Sequence, residues 1–194
     1  MEKTVSMKDG TEVLIREMSA DDVDRSLAFF EALPEEDKTY LRRPLTDRET
    51  VVRRIQMMAT GGVTRLVAIV DDQIVADGAL ELEGHGWKEH VGEIRLIVAR
   101  PFQRRGLGRL MARELYMLAS SKQVEELVVK IMGPQVGVRR MFKRLGFHKE
   151  AKLHDYVRDI RGIKHDLIVM RCKLQELWNK LGELMTESDW RRAR

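Results

Sequence analysis

Hydrophobic and polar positions along this chain change period several times, and each change marks a short element. TEVLIREM (11–18) reads as a strand. SADDVDRSLAFFEAL (19–33) opens on Ser19 as a cap, places two acids in its first turn and then carries an apolar stripe, which predicts a helix. PEEDKTYL (34–41) predicts a short helix. TDRETVVRRIQMMA (46–59) predicts another, capped by Thr46 or Asp47 and ended by Gly61-Gly62. TRLVAIVDDQIVADGALELE (64–83) predicts two strands about an Asp71-Asp72 turn. HVGEIRLIVA (90–99) is a further strand, and its Ile94, Leu96, Ile97 and Val98 imply burial on both faces.

Helical spacing returns with Leu107, Leu110, Met111, Leu115 and Leu118. VEELVVKIM (124–132) predicts a strand and QVGVRRMFKRLG (135–146) a helix closed by Gly146. FHKEAKLHDYVRDIRGIKHDLIVMRCKL (147–174) predicts a long hairpin turning at Gly162. A last helix is predicted over 173–186, with Leu174, Leu177, Trp178, Leu181, Leu184 and Met185 on one stripe that packs back on the domain or forms a dimer contact. No repeat, low-complexity segment or linker interrupts the series. The pattern fits one mixed α/β domain over 1–172, followed by an amphipathic helix and tail over 173–194.

Composition narrows the class. A length of 194 residues suffices for one domain with a sizeable core. A single cysteine, Cys172, rules out an internal disulfide framework and points to a cytoplasmic setting, where it serves as a small buried hydrophobe. No apolar run approaches the ~18–20 residues that span a bilayer, and MEKTVSMKDG has no signal-peptide core, so no membrane role is expected. The net charge of +4 permits an anionic partner, and the charge is unevenly placed. Residues 17–37 carry eight acids against Arg25, while 100–113 carry five arginines and no acid. Such polarity suits a protein that holds an anion at one end and a cation at the other.

The anion end is QRRGLGR (103–109), between a strand and a helix. Glycines at 106 and 108 leave a concave turn of bare backbone N–H groups, and the helix dipole adds to them. Arg104, Arg105 and Arg109 add fork-shaped donors suited to phosphate. A dinucleotide fingerprint is disfavoured because its third glycine would fall on Met111, and no GxxxxGK[ST] occurs anywhere. No stacking aromatics interleave these arginines, which argues against nucleic acid.

EIRLIVARPFQRRGLGRLM resembles the acetyl-CoA site of the GNAT N-acetyltransferase superfamily, whose hallmark [Q/R]-x-x-G-x-[G/A] falls here on Gln103, Gly106 and Gly108. VRRMFKRLGFHKEA resembles the family's A-x-x-L-Y-x-x-x-G-F segment, and YVRDIRGIKHDLIVM its closing hairpin. The resemblance implies an α/β (α+β) fold with a mixed, mostly antiparallel central sheet flanked by helices. It also implies acetyl-CoA as cosubstrate, held by backbone atoms of Ile97 and Val98 and by N–H groups from Arg104 through Leu107 to Arg109. The expected activity is transfer of acetyl to a primary amine. The family's first helices wall its acceptor cleft, and the acidic run there implies a cationic acceptor.

One departure concerns the acid. Where the family often places a tyrosine to protonate the leaving thiolate, this chain has Phe142, which lacks a hydroxyl. Gln135 stands where an asparagine is common and can still hydrogen-bond. Tyr156 is the nearest spare phenol of the closing hairpin, and water is the alternative because a thiolate of pKa about 8.5 leaves readily. A lysine-type amine of pKa about 10.4 needs a base. Glu93 resembles in position the glutamate of histone-type members and shares a strand face with Arg95; Glu81 and Glu83 stand in reserve. His85, Trp87 and His90 in GHGWKEH lack further ligands for a metal site and suit a substrate-lining loop. A non-catalytic acyl-CoA-binding domain is the alternative that Phe142 makes thinkable.

Overall fold

The computed structural model describes residues 2–43, 45–82 and 86–186, apart from the side chains of Leu181 and residues 184–186. Its centre is an eight-stranded sheet in the order β1-β2-β3-β4-β5-β6-β8-β7. The strands are β1 (Glu2–Ser6), β2 (Glu12–Glu17), β3 (Val63–Val70), β4 (Gln73–Leu82), β5 (Val91–Val98), β6 (Glu126–Met132), β7 (His148–Arg158) and β8 (Lys164–Lys173). Among the described residues only β5 and β6 run parallel. The mixed, mostly antiparallel architecture is therefore present.

Alternation along the strands divides the core in two. In β3, Leu66 and Ala68 face α4 (Leu107–Ser121), α5 (Val136–Arg144) and α6 (Leu174–Thr186), while Val67 and Ile69 face α1 (Val23–Glu31) and α3 (Arg48–Gln56). A four-residue helix, α2 (Glu35–Lys38), links the latter pair. Among the described residues no helix is long and apolar enough to cross a membrane.

Several predicted elements are shorter than their patterns. The stripe over 19–33 becomes a 3-10 turn at Ala20–Asp22 followed by α1, because Asp22 turns inward and is fully buried. Arg16 donates to its two oxygens at 2.6 and 2.7 Å, and the Ser19 N–H donates at 2.8 Å. Asp47, not Thr46, caps α3, accepting from the Thr50 N–H at 2.8 Å. The β3–β4 turn puts Asp71 and Asp72 at φ 48° and 60°, the left-handed pair that a tight two-residue hairpin requires.

One element was not anticipated. The strand β1 pairs antiparallel with β2 at the sheet edge, where only Val5 points into the core. One inward residue among charged neighbours leaves too little alternation to read. The predicted C-terminal helix is present as α6, and the described part of its stripe packs back on the domain: Leu174 and Leu177 enter the main core, and Trp178 stacks on Tyr116 of α4 with ring centroids 5.0 Å apart. The side chains of Leu181, Leu184 and Met185 on the same predicted stripe lie outside the described residues.

Candidate active site

The parallel strands β5 and β6 pair only at Val91–Glu126, Gly92–Leu127 and Glu93–Val128. Beyond Glu93 they part, so the backbone of 94–98 has β4 on one side and no strand on the other. This opening explains why the expectation of burial on both faces holds for Ile94 (3% exposed) but not for Leu96, Ile97 and Val98, which are half-buried.

The glycine turn closes the open end of this gap. After β5 the chain makes a 3-10 turn at Arg100–Phe102, passes Arg104 at φ 60° and Gly106 at φ 99°, and enters α4. Gly106 is thus required by a left-handed backbone conformation. Gly108 is required more loosely: a Cβ there would lie 3.5 Å from Met141 Sδ and 4.0 Å from Val98 Cγ2, which a methyl tolerates and an indole would not. Among the described residues, the N–H groups of 104–108 donate to no protein acceptor. A row of unpaired donors at the N-terminus of a fifteen-residue helix has the geometry that suits an anion.

Side chains around the turn divide into braces and free cations. Gln103 Nε2 donates to the Val98 carbonyl at 2.8 Å, which ties the turn to the strand and occupies an acceptor expected to serve a ligand. Arg105 also braces: its Nε donates to Asp9 at 2.6 Å and its Nη2 to Thr11 at 2.9 Å, and it lies over the Phe102 ring. The expectation that Arg105 adds free charge to the anion site is therefore corrected. Thr11 and Arg105 together hold the Asp9 carboxyl down to about 2. Arg104 and Arg109 are exposed and unpaired among the described residues.

Glu93 lies at the closed end of the gap, amid cations. Lys130 of β6 donates to its Oε2 at 2.6 Å, Arg42 pairs with Oε1, and Arg95 Nε stands 3.8 Å away. Glu81, directly opposite Glu93 on β4, is taken by Arg95 at 2.5 Å. Glu83 lies outside the described residues, as does His85. Burial pushes the Glu93 carboxyl up, but the Lys130 hydrogen bond and the Arg42 charge together outweigh it and hold the group below the ordinary carboxylate value. A base tuned toward neutrality by burial is the natural expectation, and the cations reverse its sign. Neither Arg42 nor Lys130 was anticipated; Lys130 could have been, as the lone charge interrupting the apolar end of VVKIM.

The remaining candidates separate. Gln135 stands at the N-cap position of α5, but its Oε1 turns back to accept from the Met132 N–H at 3.0 Å, with its amide NH2 left to donate. Phe142 is 3% exposed and packs edge-on against Phe147 at 5.1 Å, so it acts as core wall. Its neighbour Met141, not Phe142, flanks Gly108. Tyr156 lies on β7 where the register with β8 breaks, 66% exposed and two strands removed from β6. Cys172 is fully buried, and burial with the Glu176 charge pushes its thiol up to about 12, so it is no nucleophile at neutral pH.

The two charged runs meet. Arg100 donates to Asp37 at 3.0 Å and to Glu36 at 2.5 Å, Asp22 serves Arg16 and Arg25, and Asp24 pairs with Arg48. Much of the acidic run is therefore paired within the fold.

Comparison with known proteins agrees with this architecture. The family model described as acetyltransferase (GNAT) family matches residues 26–147. No curated protein sequence matches the chain. Among solved structures, the ribosomal-protein-S5-alanine acetyltransferase of Vibrio fischeri superposes with a TM-score of 0.75 at 12% identity, covering 88% of this chain and 96% of the other. The GNAT domain of the S. lividans protein PAT gives 0.73 at 16% identity over 89% and 96%. A ribosomal L7/L12 alpha-N-protein acetyltransferase in complex with coenzyme A gives 0.74 at 13% over 88% and 98%. With the family's segment matched across β3, β4, β5, α4 and β6, and its glycine turn set against parted parallel strands, this chain belongs to the GNAT acetyltransferase family.

Proposed function

We propose that this acyltransferase moves an acetyl group from acetyl-CoA to a primary amine by direct attack. The observation that carries the reading is the row of unpaired N–H groups at 104–108, set at the open end of the β5–β6 gap with Glu93 at its closed end. Residues 93 and 98 are about 16 Å apart at ~3.3 Å per strand residue. A ligand serving both ends needs a phosphate and a reactive carbon joined by a long arm, as in acetyl-CoA. The pyrophosphate sits on the N–H row with Arg104 and Arg109, the arm runs along Leu96–Val98, and the Gln135 amide donates to it.

The chemistry follows from the carboxylate. The amine nitrogen bonds to the acetyl carbon, the C–S bond breaks, and Glu93 takes the amine's proton, directly or through water. Glu93 is ionised at neutral pH but is a weak base, because Lys130 and Arg42 stabilise its anion. A weak base serves an α-amine of pKa about 7.7–8.0 far better than a lysine amine of about 10.4. The acceptor is accordingly a peptide or protein N-terminus, and an alpha-N-protein acetyltransferase is among the similar structures. Water protonates the leaving thiolate, since Tyr156 stands about 9–10 Å from β6 by strand spacing.

A thiol-release assay tests this. Peptides with a free N-terminus should be acetylated, and the same peptides with a blocked N-terminus and a free lysine should react at least tenfold more slowly. Tight acetyl-CoA binding without turnover on any amine would instead favour the non-catalytic acyl-CoA-binding reading.

A further inference from the structure

Past the C-terminal end of β6 lies a cavity of about 490 Å³ between residues 133–134, α5 and the β7–β8 hairpin. Such a volume lies within the range of sites that take small molecules. Its wall holds Arg139, Lys149, Lys152 and Lys164 against Asp155 and Asp166. Lys152 stands opposite Ile168 and Lys149 opposite Met170, both core residues, so these lysines rise from the sheet face that α5 covers.

The cations are unevenly matched. Asp166 is committed, accepting from Lys152 at 2.8 Å and from the Asp155 N–H at 3.2 Å. Among the described residues Lys149, Lys164 and Arg139 have no acidic partner, and the buried Arg139 Nε has no acceptor. Unpaired like charges lining one concavity make it electropositive, and a buried donor without an acceptor is unfavourable. Both conditions are relieved by a multiply charged anion.

We propose that this cavity is a second anion-binding site, distinct from the acetyl-CoA turn, for a small polyphosphate or phosphorylated ligand held by Lys149, Lys164 and Arg139. Charge-assisted hydrogen bonds from three cations suit a ligand with two linked phosphate groups. The cofactor's own phosphates offer the same chemistry, so the test must separate the two.

Inorganic pyrophosphate, titrated calorimetrically into the full chain saturated with acetyl-CoA, should bind once and weaken as salt rises. Lys149→Glu and Arg139→Gln should each weaken it by roughly tenfold or more, with acetyl-CoA affinity unchanged. The site is overturned if saturated wild type gives no binding, or if both variants bind pyrophosphate as wild type does. It is equally overturned if the variants weaken acetyl-CoA itself, which would assign these cations to the cofactor. A chain that takes pyrophosphate here but no acetyl-CoA would sink the acetyltransfer reading and leave this site standing.

Discussion

Lys130 on β6 donates to Glu93 on β5 across the point where the two strands part, Nζ to Oε2 at 2.6 Å. The pair makes the proposed base anionic and weak together. Glu93→Gln keeps the size and removes the proton acceptor, so turnover should fall by about 10²–10³ at pH 7. Raising the pH should restore part of the rate as more amine arrives deprotonated. Steady-state kinetics across pH, with calorimetry showing unaltered acetyl-CoA affinity, checks both halves. A near-normal rate at pH 7 would move the role to Glu81, Glu83 or an ordered water.

Lys130→Met tests the tuning separately. Removing the cation eliminates a cause that lowers the Glu93 pKa, so burial has freer rein and the pKa rises. The acidic limb of the kcat/KM profile should shift to higher pH. A profile that stays in place would show that Glu93 is not the titrating group.

The anion turn makes a graded prediction. Gly108→Ala should leave acetyl-CoA binding near wild type, because the added methyl meets Met141 and Val98 at ordinary contact distance. Gly108→Trp should weaken binding severely with a smaller effect on thermal stability. Gly106→Ala should cost about 1 kcal/mol of stability through its left-handed φ alone. Equal effects of Ala and Trp at 108 would show that space at the turn is not what matters.

These sites were unequally legible in the sequence. The glycine turn could be read because its chemistry is backbone chemistry, and local residue types dictate the backbone. Glu93 could be placed on a strand, but its electrostatics could not, since Arg42 lies 51 residues before it and Lys130 37 residues after. The contact between the acidic and arginine-rich runs was hidden for the same reason: Arg100 and Asp37 meet across 63 residues, and pattern along a chain carries no such pairing. The sheet was mostly visible because alternation is local, and β1 escaped because an edge strand with one inward residue scarcely alternates.

Acid should destabilise the fold in a definite window. Asp9, Asp22, Asp159 and Glu93 all have folded pKa values below their ordinary ones, Asp9 at about 2. A depressed carboxylate contributes stability above its unfolded pKa and loses it as pH falls through the folded one. The melting temperature should therefore drop between about pH 4 and pH 2. Asp22→Asn should lower the neutral-pH value and flatten the acid limb, since Arg16 and Arg25 then face a neutral amide.

The C-terminal helix gives the final test. Leu177 is 1% exposed and Leu174 9%, both in the core with Leu145, Phe147 and Cys172. Gly146 sits close under α6, so that a Cβ there would meet Lys180 Cγ at 3.2 Å and Cys172 Sγ at 3.4 Å. Leu177→Ala should cost about 2–5 kcal/mol, the usual range for a buried leucine. Deleting 173–194 should cost more, because it also uncovers Tyr116 and Cys172. Urea unfolding of the point variant, with light scattering before and after truncation, separates the two uses of this helix. A truncated chain that stays folded while its mass falls from dimer to monomer would show that α6 serves assembly; a strongly destabilised chain of unchanged mass would place it in the domain's own core.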